Sequence, residues 1–195
     1  MAICTSFLYL IITCILFNDA YCQTEPLADI HPPATLDLAW WLRRSERRFH
    51  SQNGEDGMLE ALIDAVTHAS GTPVPPVFVE FGVQDGSECN TRYLKESRHW
   101  SGFLMDGSNE NSSLNLHKRY ITAENINGLL GDLGAPATLG LLSVDLDFSD
   151  WHVWRSILEA GQHRAVIVIV EYNSSIDPEH ALVVPYQPTG VWDGR

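Results

Sequence analysis

The stretch VFVEFGVQDGSECN, residues 77–90, decides the fold class of this chain. Its first five residues are apolar except for Glu80, which is typical of a buried β-strand. Gly82 and Gly86 bracket a short turn, and the polar residues after it suit the start of a helix. A strand that leads through a glycine-bearing turn into a helix is the building unit of nucleotide-binding α/β domains. Whether this turn binds a cofactor is open, because Gln84 stands where many such loops have glycine.

The chain after residue 90 alternates between apolar runs and helical patterns. The runs are predicted strands, and they cover residues 101–106 (SGFLMD), 119–123 (RYITA), 139–145 (LGLLSVD) and 165–172 (AVIVIVEY). Predicted helices cover residues 87–97, 113–118 and 124–130, and another follows Ser149 with an apolar face of Trp151, Trp154, Ile157 and Leu158. This alternation predicts a Rossmann-like, doubly wound α/β fold, whose five-stranded, mainly parallel sheet has helices on both faces.

Two helices are predicted before the first strand. One covers residues 36–49, and Asn53 is predicted to cap the next, with Glu55 and Asp56 in its first turn. Apolar residues recur at helical spacing in this second helix and form one face, which consists of Met58, Leu59, Leu62, Ile63 and Val66. The glycine and prolines of residues 71–76 end it.

The first 22 residues have the pattern of a secretory signal peptide. Residues 3–17 are mostly apolar, and Ala20-Tyr21-Cys22 places small residues at the cleavage position. The mature chain is expected to begin near Gln23 and to enter the secretory pathway or the extracellular space. The apolar run is shorter than the roughly 20 residues that a spanning helix needs, so no stable membrane span is expected. No Lys or Arg precedes the run, so a membrane anchor formed by an uncleaved signal remains the alternative.

Removal of the signal leaves a linker and N-terminal helix (23–50) and an α/β domain (51–195). Of the four cysteines only Cys89 belongs to the mature chain, and it is expected to be a buried apolar residue rather than a nucleophile. Asn111 and Asn173 each begin a glycosylation sequon. The net charge of −13 argues against nucleic acid as a partner, since an acidic chain repels phosphate backbones.

Polar side chains follow every predicted strand where ligands bind in this class of fold. They are Glu80 for the first strand, Asp106 for the second, Glu124 and Asn125 for the third, Asp145 and Asp147 for the fourth, and Glu171 and Asn173 for the fifth. Some of these acids are expected only to cap the helices that follow. That explanation does not suit Glu80, because it lies inside a strand and a buried carboxylate needs hydrogen-bond donors.

The position of Asp106 favours a nucleoside ligand. An acid that closes the second strand some twenty residues after the glycine turn is placed to accept hydrogen bonds from ribose hydroxyls. The turn lacks the middle glycine of nicotinamide-binding loops, and Asp85 and Glu88 would repel a diphosphate. A nucleoside with a positive centre and no phosphate, such as S-adenosylmethionine, suits these residues better.

Several motifs together resemble the FkbM-like branch of the class I SAM-dependent methyltransferases. These are VFVEFGVQDGSECN, LLSVDLDFSDWHVW and VIVIVEYN, with SQNGEDG upstream and ITAENIN between them, and the resemblance covers roughly residues 51–194. It implies a SAM-binding turn of Glu80, Gly82, Gln84 and Gly86, a ribose contact at Asp106, an adenine contact at Glu124 or Asn125, and a catalytic Asp145 that faces the transferred methyl group. It further implies methylation of an oxygen of a small molecule or sugar.

The fourth and fifth strands also predict a candidate metal site. If the fourth strand runs that far, Asp145 and Asp147 share one face at strand period, and Glu171 and Asn173 do the same on the neighbouring strand. Oxygen ligands of this kind suit Mg²⁺ or Ca²⁺. The alternative is that Asp147 and Glu171 cap loops or pair with Arg155 and Arg164, or that Asp145 acts as a base without a metal.

Two functions therefore remain open. One is a SAM-dependent methyltransferase, and the other is a secreted, non-catalytic binding module with the methyltransferase fold. The sequence ends at Arg195, shortly after the fifth strand, so the resemblance implies a domain that is incomplete at its C-terminus.

Overall fold

The computed structural model describes residues 38–171 and 182–190 of the chain. In this part, five strands form one sheet in which every neighbouring pair is parallel. The strands are β1 (Val77–Phe81), β2 (Ser101–Asp106), β3 (Leu116–Lys118), β4 (Thr138–Val144) and β5 (Arg164–Val170). Their order is β3-β2-β1-β4-β5, so the direction of winding reverses between β1 and β4. The predicted Rossmann-like α/β fold is confirmed.

Helices cover both faces of this sheet. They are α1 (Leu38–Arg44), α2 (Glu55–Ser70), α3 (Arg92–Arg98), α4 (Ile126–Asp132) and α5 (Asp150–Ala160). Alternate strand residues point to opposite faces. Phe78 belongs to a buried cluster with Leu59 of α2 and Leu94 of α3, and Val79 belongs to a second cluster with Ile126 of α4 and Val153 of α5. The sheet is therefore buried on both sides, as its near-continuous apolar strands require.

The third strand lies earlier in the chain than predicted. Residues 112–114 form a 3-10 turn and β3 follows at once, so the predicted helix at 113–118 is wrong. Asn115 is the physical reason, because its φ of 59° ends the turn and its side-chain amide donates to Gly102 O at 2.6 Å. Asparagine tolerates this left-handed conformation better than most residues.

The predicted strand at residues 119–123 is also wrong, because this segment is the entry to α4. The side chain of Asn125 accepts a hydrogen bond from Thr122 N at 2.8 Å and donates one to Tyr120 O at 2.8 Å. These local bonds compete with sheet pairing and fold the backbone into a turn.

Helix α3 starts at Arg92 rather than at residue 87. The intervening residues complete the turn, and Thr91 occupies the N-cap position. Helix α1 ends at Arg44, before the predicted residue 49. The start of α3 coincides with hydrogen bonds from Asn90 N and Thr91 N to the Glu80 carboxylate.

Helix α2 begins at Glu55, but Asn53 does not cap it. Gly54 is the N-cap residue with a φ of 94°, and Asn53 instead donates from its N–H and its side-chain amide to the Glu55 carboxylate. The segment before it is held by Asp56, whose Oδ2 accepts from the backbone N–H groups of residues 49, 50 and 51 at 2.7–2.9 Å. Three converging backbone donors form an anion-binding nest, which here binds a carboxylate of the chain itself.

The predicted apolar face of α5 is partly wrong. Trp154 and Ile157 are buried together with Val153, but Trp151 and Leu158 are 40% and 49% exposed. Residues at i, i+3 and i+4 share a helix face, and the stripe that meets the sheet is centred on Val153 rather than on Trp151.

Several predictions lie outside the described residues. They concern the signal peptide (1–22), the linker up to residue 37, and Asn173 with its sequon. Across residues 38–171 and 182–190, none of the helices combines the length and hydropathy of a membrane-spanning segment. Asn111, which begins the other sequon, is exposed, and its side-chain oxygen accepts from the N–H and hydroxyl of Ser113.

Candidate functional site

A cleft of about 490 Å³ opens at the carboxyl ends of the strands. Its walls include Glu80 from β1, Asp106 from β2, Asp145 directly after β4 and Glu171 directly after β5. Strands β1 and β4 are the neighbours between which the winding reverses. The cleft therefore occupies the topological switch point, which is where open α/β sheets bind their ligands.

Most of the predicted site residues meet in this cleft. Those in its lining are Glu80, Gly82, Gln84, Asp106, Asp145, Asp147 and Glu171. Gly86, Glu124 and Asn125 lie outside it. Gly86 closes the turn, since its N–H donates to Val83 O at 2.8 Å, while Glu124 accepts a hydrogen bond from the Tyr186 hydroxyl at 2.6 Å. Asn173 is not among the described residues.

The turn after β1 is shaped by close backbone contact. Gly82 has a φ of 73°, and a β-carbon added to it would lie 1.7 Å from Asp145 O. Only glycine permits both the left-handed conformation and this approach of the β1 and β4 ends. Gln84 also has a positive φ of 50°, and its N–H donates to Asp106 Oδ2 at 2.9 Å. The turn is thereby fixed against the end of β2.

Glu80 connects the first strand to helix α3. Its carboxylate is buried and accepts from Asn90 N at 2.8 Å, from Thr91 N at 3.1 Å and from the Thr91 hydroxyl at 2.6 Å, with Ser143 Oγ at 3.4 Å. Burial raises the pKa of the Glu80 carboxyl, and these hydrogen bonds oppose the rise. These hydrogen bonds offset the cost of burying a carboxylate inside a strand, as predicted for Glu80 from the sequence.

Asp106 organises the two loops beside it. Its Oδ1 accepts from Ser108 N at 2.7 Å, from Asn109 N at 2.9 Å and from Asn109 Nδ2 at 3.0 Å, while Oδ2 accepts from Gln84 N. A carboxylate offers about four lone-pair sites, so Oδ2 is the oxygen with room for a further donor. Asp106 lines the cleft, so this remaining acceptor capacity is available to a hydrogen-bond donor of a ligand.

Three carboxyl groups converge at the ends of β4 and β5. Asp145, Asp150 and Glu171 each place an oxygen within 4.8 Å of the others. Burial, the charge of Glu171 and that of Asp150 raise the pKa of Asp145 to about 9, and burial raises the pKa of Asp150 to about 7. Burial and the charge of Asp147 raise the pKa of Glu171 as well. Asp145 and Glu171 therefore titrate as a coupled pair, and their burial and mutual repulsion favour retention of a proton by the pair.

Asp150 takes the place that the sequence analysis assigned to Asp147. Strand β4 ends at Val144 and Asp147 has a φ of 63°, so the condition that both acids share a strand face is not met. Asp147 is exposed in the cleft wall. The alternative ion pair with Arg155 does not form, since Arg155 pairs with Glu159 within α5.

Other cleft residues were missed because they do not end a strand. Gln52, Asn53 and Glu55 come from the SQNGEDG segment, and Tyr120 belongs to the loop after β3. Asp150 does not line the cleft but joins the acid cluster with Asp145 and Glu171; it opens α5, and its Oδ1 accepts from Leu146 N at 2.7 Å. The sequence signal for Asp150 was its position in the first turn of a helix, where acids are common for electrostatic reasons alone.

The lining of the cleft is strongly acidic. It contains eight carboxylates and, among the described residues, Arg119 as its one guanidinium; the acids are Glu55, Glu80, Asp85, Glu88, Asp106, Asp145, Asp147 and Glu171. Even with Asp145 protonated, this potential attracts a cationic ligand and repels a diphosphate.

The pH dependence of stability tests the acid cluster. In the unfolded chain Asp145 ionises above its ordinary pKa of 3.8, whereas in the folded chain it keeps its proton up to about 9. The contribution of protonated Asp145 to the free energy of unfolding is therefore fully present below pH 3.8, and it is lost as the pH rises to about 9. We expect Asp145→Asn to stabilise the protein by about 1–2 kcal/mol near neutral and mildly alkaline pH, and less in acid.

Urea unfolding of wild type and variant across this pH range measures the effect. Asp85→Asn is the matched control, because the Ser87 hydrogen bonds lower the pKa of this exposed cleft carboxyl, so its loss brings no stabilisation. An Asp145→Asn protein that is no more stable than wild type at any pH would show that the three carboxyls do not repel one another.

The fold and the cleft define this chain as a Rossmann-like α/β protein with an acidic cleft at its switch point. Comparison with known proteins goes no further: no family model matches the sequence, and neither a curated protein nor a solved structure matches it significantly.

Proposed function

We propose that this chain is a SAM-dependent methyltransferase-like protein that transfers a methyl group to an oxygen of a small molecule or sugar. The observation that carries the proposal is the acidic cleft at the switch point, with a glycine turn after β1 and a carboxylate at the end of β2. S-adenosylmethionine has a sulfonium and an ammonium group, so its positive charges suit this lining. The acids disfavour the diphosphate of a nicotinamide cofactor for the same reason.

The residues have distinct roles in this proposal. The Gly82–Gly86 turn lies where the methionine end would bind, and Asp106 Oδ2 accepts from the ribose. Asp145, at the end of β4, is placed beside the acceptor. Its raised pKa means that it accepts a proton only when the pH approaches about 9 or a neighbour stabilises its charge. A small-molecule or sugar hydroxyl held between Asp145 and Glu171 would transfer its proton to this pair.

Ligand binding is the primary test. S-adenosylhomocysteine and S-adenosylmethionine are expected to raise the melting temperature by several degrees when present well above their dissociation constants, and NAD is expected to have no effect. Calorimetry on Asp106→Asn should show SAM affinity weakened about 10- to 100-fold, since a hydrogen bond to a charged acceptor is lost. Asp85→Asn removes the same formal charge from the cleft lining and should weaken it far less.

The outcomes separate the candidate functions. No binding by any of the three ligands contradicts the proposal, and equal affinity in wild type and Asp106→Asn removes the ribose assignment. Binding of SAM without turnover of any hydroxylated acceptor favours the second candidate, a non-catalytic module that keeps the fold. The predicted use of Mg²⁺ or Ca²⁺ stays a prediction. A melting temperature that rises with either ion in wild type but not in Asp145→Asn would support it.

The secretory destination also stays a prediction, as residues 1–37 lie outside the described part of the chain. Methylation in that compartment requires imported SAM, so the binding test is best performed on purified protein, where the cofactor is supplied.

A further inference from the structure

Residues 182–190 (LVVPYQPTG) join the loop that leads into α4 to the start of α5, and they reach the cleft at Gly190. We propose that this segment, here called the strap, closes one side of the cleft, and that the hydrogen bond between Tyr186 and Glu124 is its latch. The latch is a property of the ligand-free chain. Only the coupling of the strap to a nucleoside ligand rests on the proposed function.

The sequence of the strap limits its conformations. Pro185 and Pro188 flank Tyr186 at distances of one and two residues, and each fixes its own φ. Residues 187–190 (QPTG) form a turn in which Gly190 N donates to Gln187 O at 2.9 Å. Proline at the second turn position and glycine at the fourth are typical of a type I β-turn. A stiffened segment loses little conformational entropy when it is held in place.

Tyr186 holds the centre of the strap. Its hydroxyl donates to Glu124 Oε2 at 2.6 Å and accepts from Ala123 N at 3.0 Å, and its ring lies 4.9 Å from the ring of His152. His152 Nε2 in turn lies 2.9 Å from Val184 O. These contacts join the strap to two separate elements, the 120–124 loop and α5. Glu124 therefore anchors the strap and does not line the cleft.

Tyr120 connects the latch to the cleft. Its hydroxyl donates to Pro188 O at 2.8 Å, and its half-exposed ring lines the cleft together with Gly190. The ring also lies beside the loop after β2, since a β-carbon on Gly107 would be 3.7 Å from Tyr120 Cδ2. Release of the strap would thus free Tyr120 on the side of the cleft that adjoins Asp106.

Tyr186→Phe tests the latch, because it removes the hydroxyl and keeps the ring. Two measurements on the full, ligand-free chain report on it: amide exchange at Ala123, and cleavage by chymotrypsin after residue 186, which stays aromatic. We expect both to become about threefold to tenfold faster, the factor that one net hydrogen bond gives. Tyr93→Phe is the matched control, since it removes a Tyr–Glu hydrogen bond of 3.1 Å to Glu60, between α3 and α2.

Glu124→Gln keeps an acceptor for Tyr186 and should give a smaller acceleration. Unchanged exchange at Ala123 and unchanged cleavage in Tyr186→Phe would overturn the latch, as would equal acceleration in Tyr93→Phe. S-adenosylhomocysteine is the probe for closure, and it should slow strap cleavage in wild type. Calorimetric binding of this probe with unchanged cleavage would overturn closure over the ligand. Absence of binding would contradict the proposed function. The exchange and cleavage rates of the ligand-free variants would still test whether the Tyr186–Glu124 hydrogen bond holds the strap in place.

Discussion

Gly82→Ala is expected to destabilise the protein by roughly 3–5 kcal/mol or to prevent folding. The new methyl group would lie 1.7 Å from Asp145 O, and this neighbour is backbone rather than a mobile side-chain end. The residue would also have to keep a φ of 73°, which costs about 1 kcal/mol for a residue with a β-carbon. Either the turn or the end of β4 must move, and both form the cleft.

A series of glycine substitutions separates the steric clash with Asp145 O from the cost of the positive φ. Gly128, inside α4, has open space and no positive φ, so Gly128→Ala should stabilise the protein by about 0.5–1 kcal/mol. Gly71 has open space and a φ of 67°, so Gly71→Ala shows the conformational effect alone, a loss of about 1 kcal/mol. Urea unfolding measures all three. A Gly82→Ala protein no less stable than Gly71→Ala would show that the β1 and β4 ends do not approach closely.

Glu80→Ala is the second substitution with a large expected effect, a loss of about 3–5 kcal/mol. It leaves the N–H groups of Asn90 and Thr91 and the Thr91 hydroxyl without their acceptor. It also opens a cavity beside β1, where the Glu80 side chain is buried. Helix α3 would lose the group that fixes its start, so the whole β1–α3 connection should loosen.

A second substitution at this position separates the effect of side-chain volume on stability from the effect of the carboxylate charge. Glu80→Gln keeps the volume and one acceptor oxygen, and we expect it to lose about half as much stability as Glu80→Ala. Glu159→Ala, in an exposed ion pair with Arg155, is the control for loss of a carboxylate and should change stability by less than about 0.5 kcal/mol. The hydrogen bonds assigned to Glu80 would be refuted by a Glu80→Ala protein that unfolds at the same urea concentration as Glu159→Ala.

Both substitutions also bear on function, because Gly82 and Glu80 line the cleft. Under the proposed function, SAM binding by the folded fraction of either variant is expected to weaken, because both substitutions disturb the turn after β1. The Gly128→Ala protein, which changes no cleft residue, should bind as wild type does.

The alternation of apolar strands with helices was sufficient to predict the fold. Four of the five predicted strands overlap β1, β2, β4 and β5, since long runs such as residues 165–170 are buried on both faces and carry a strong signal. The third strand was misplaced because β3 has only three residues, and because Asn115 and Asn125 make local side-chain bonds that compete with the apparent strand pattern. These local hydrogen bonds leave only a weak signal in the sequence, but they determine the backbone conformation of the folded chain at these positions.

The sequence by itself determined the class of fold and the place of the site, since parallel strands must present their carboxyl ends at one edge and the residues there can be read from the ends of the apolar runs. Glu80, Asp106, Asp145 and Glu171 were found in this way. Only the tertiary structure decided which of these carboxylates already have partners. It showed that Asp150 rather than Asp147 joins Asp145, and that Glu124 holds Tyr186 instead of lining the cleft. The physical reason is that these choices depend on backbone directions after each strand, such as the positive φ of Asp147, and on chain segments far apart in sequence.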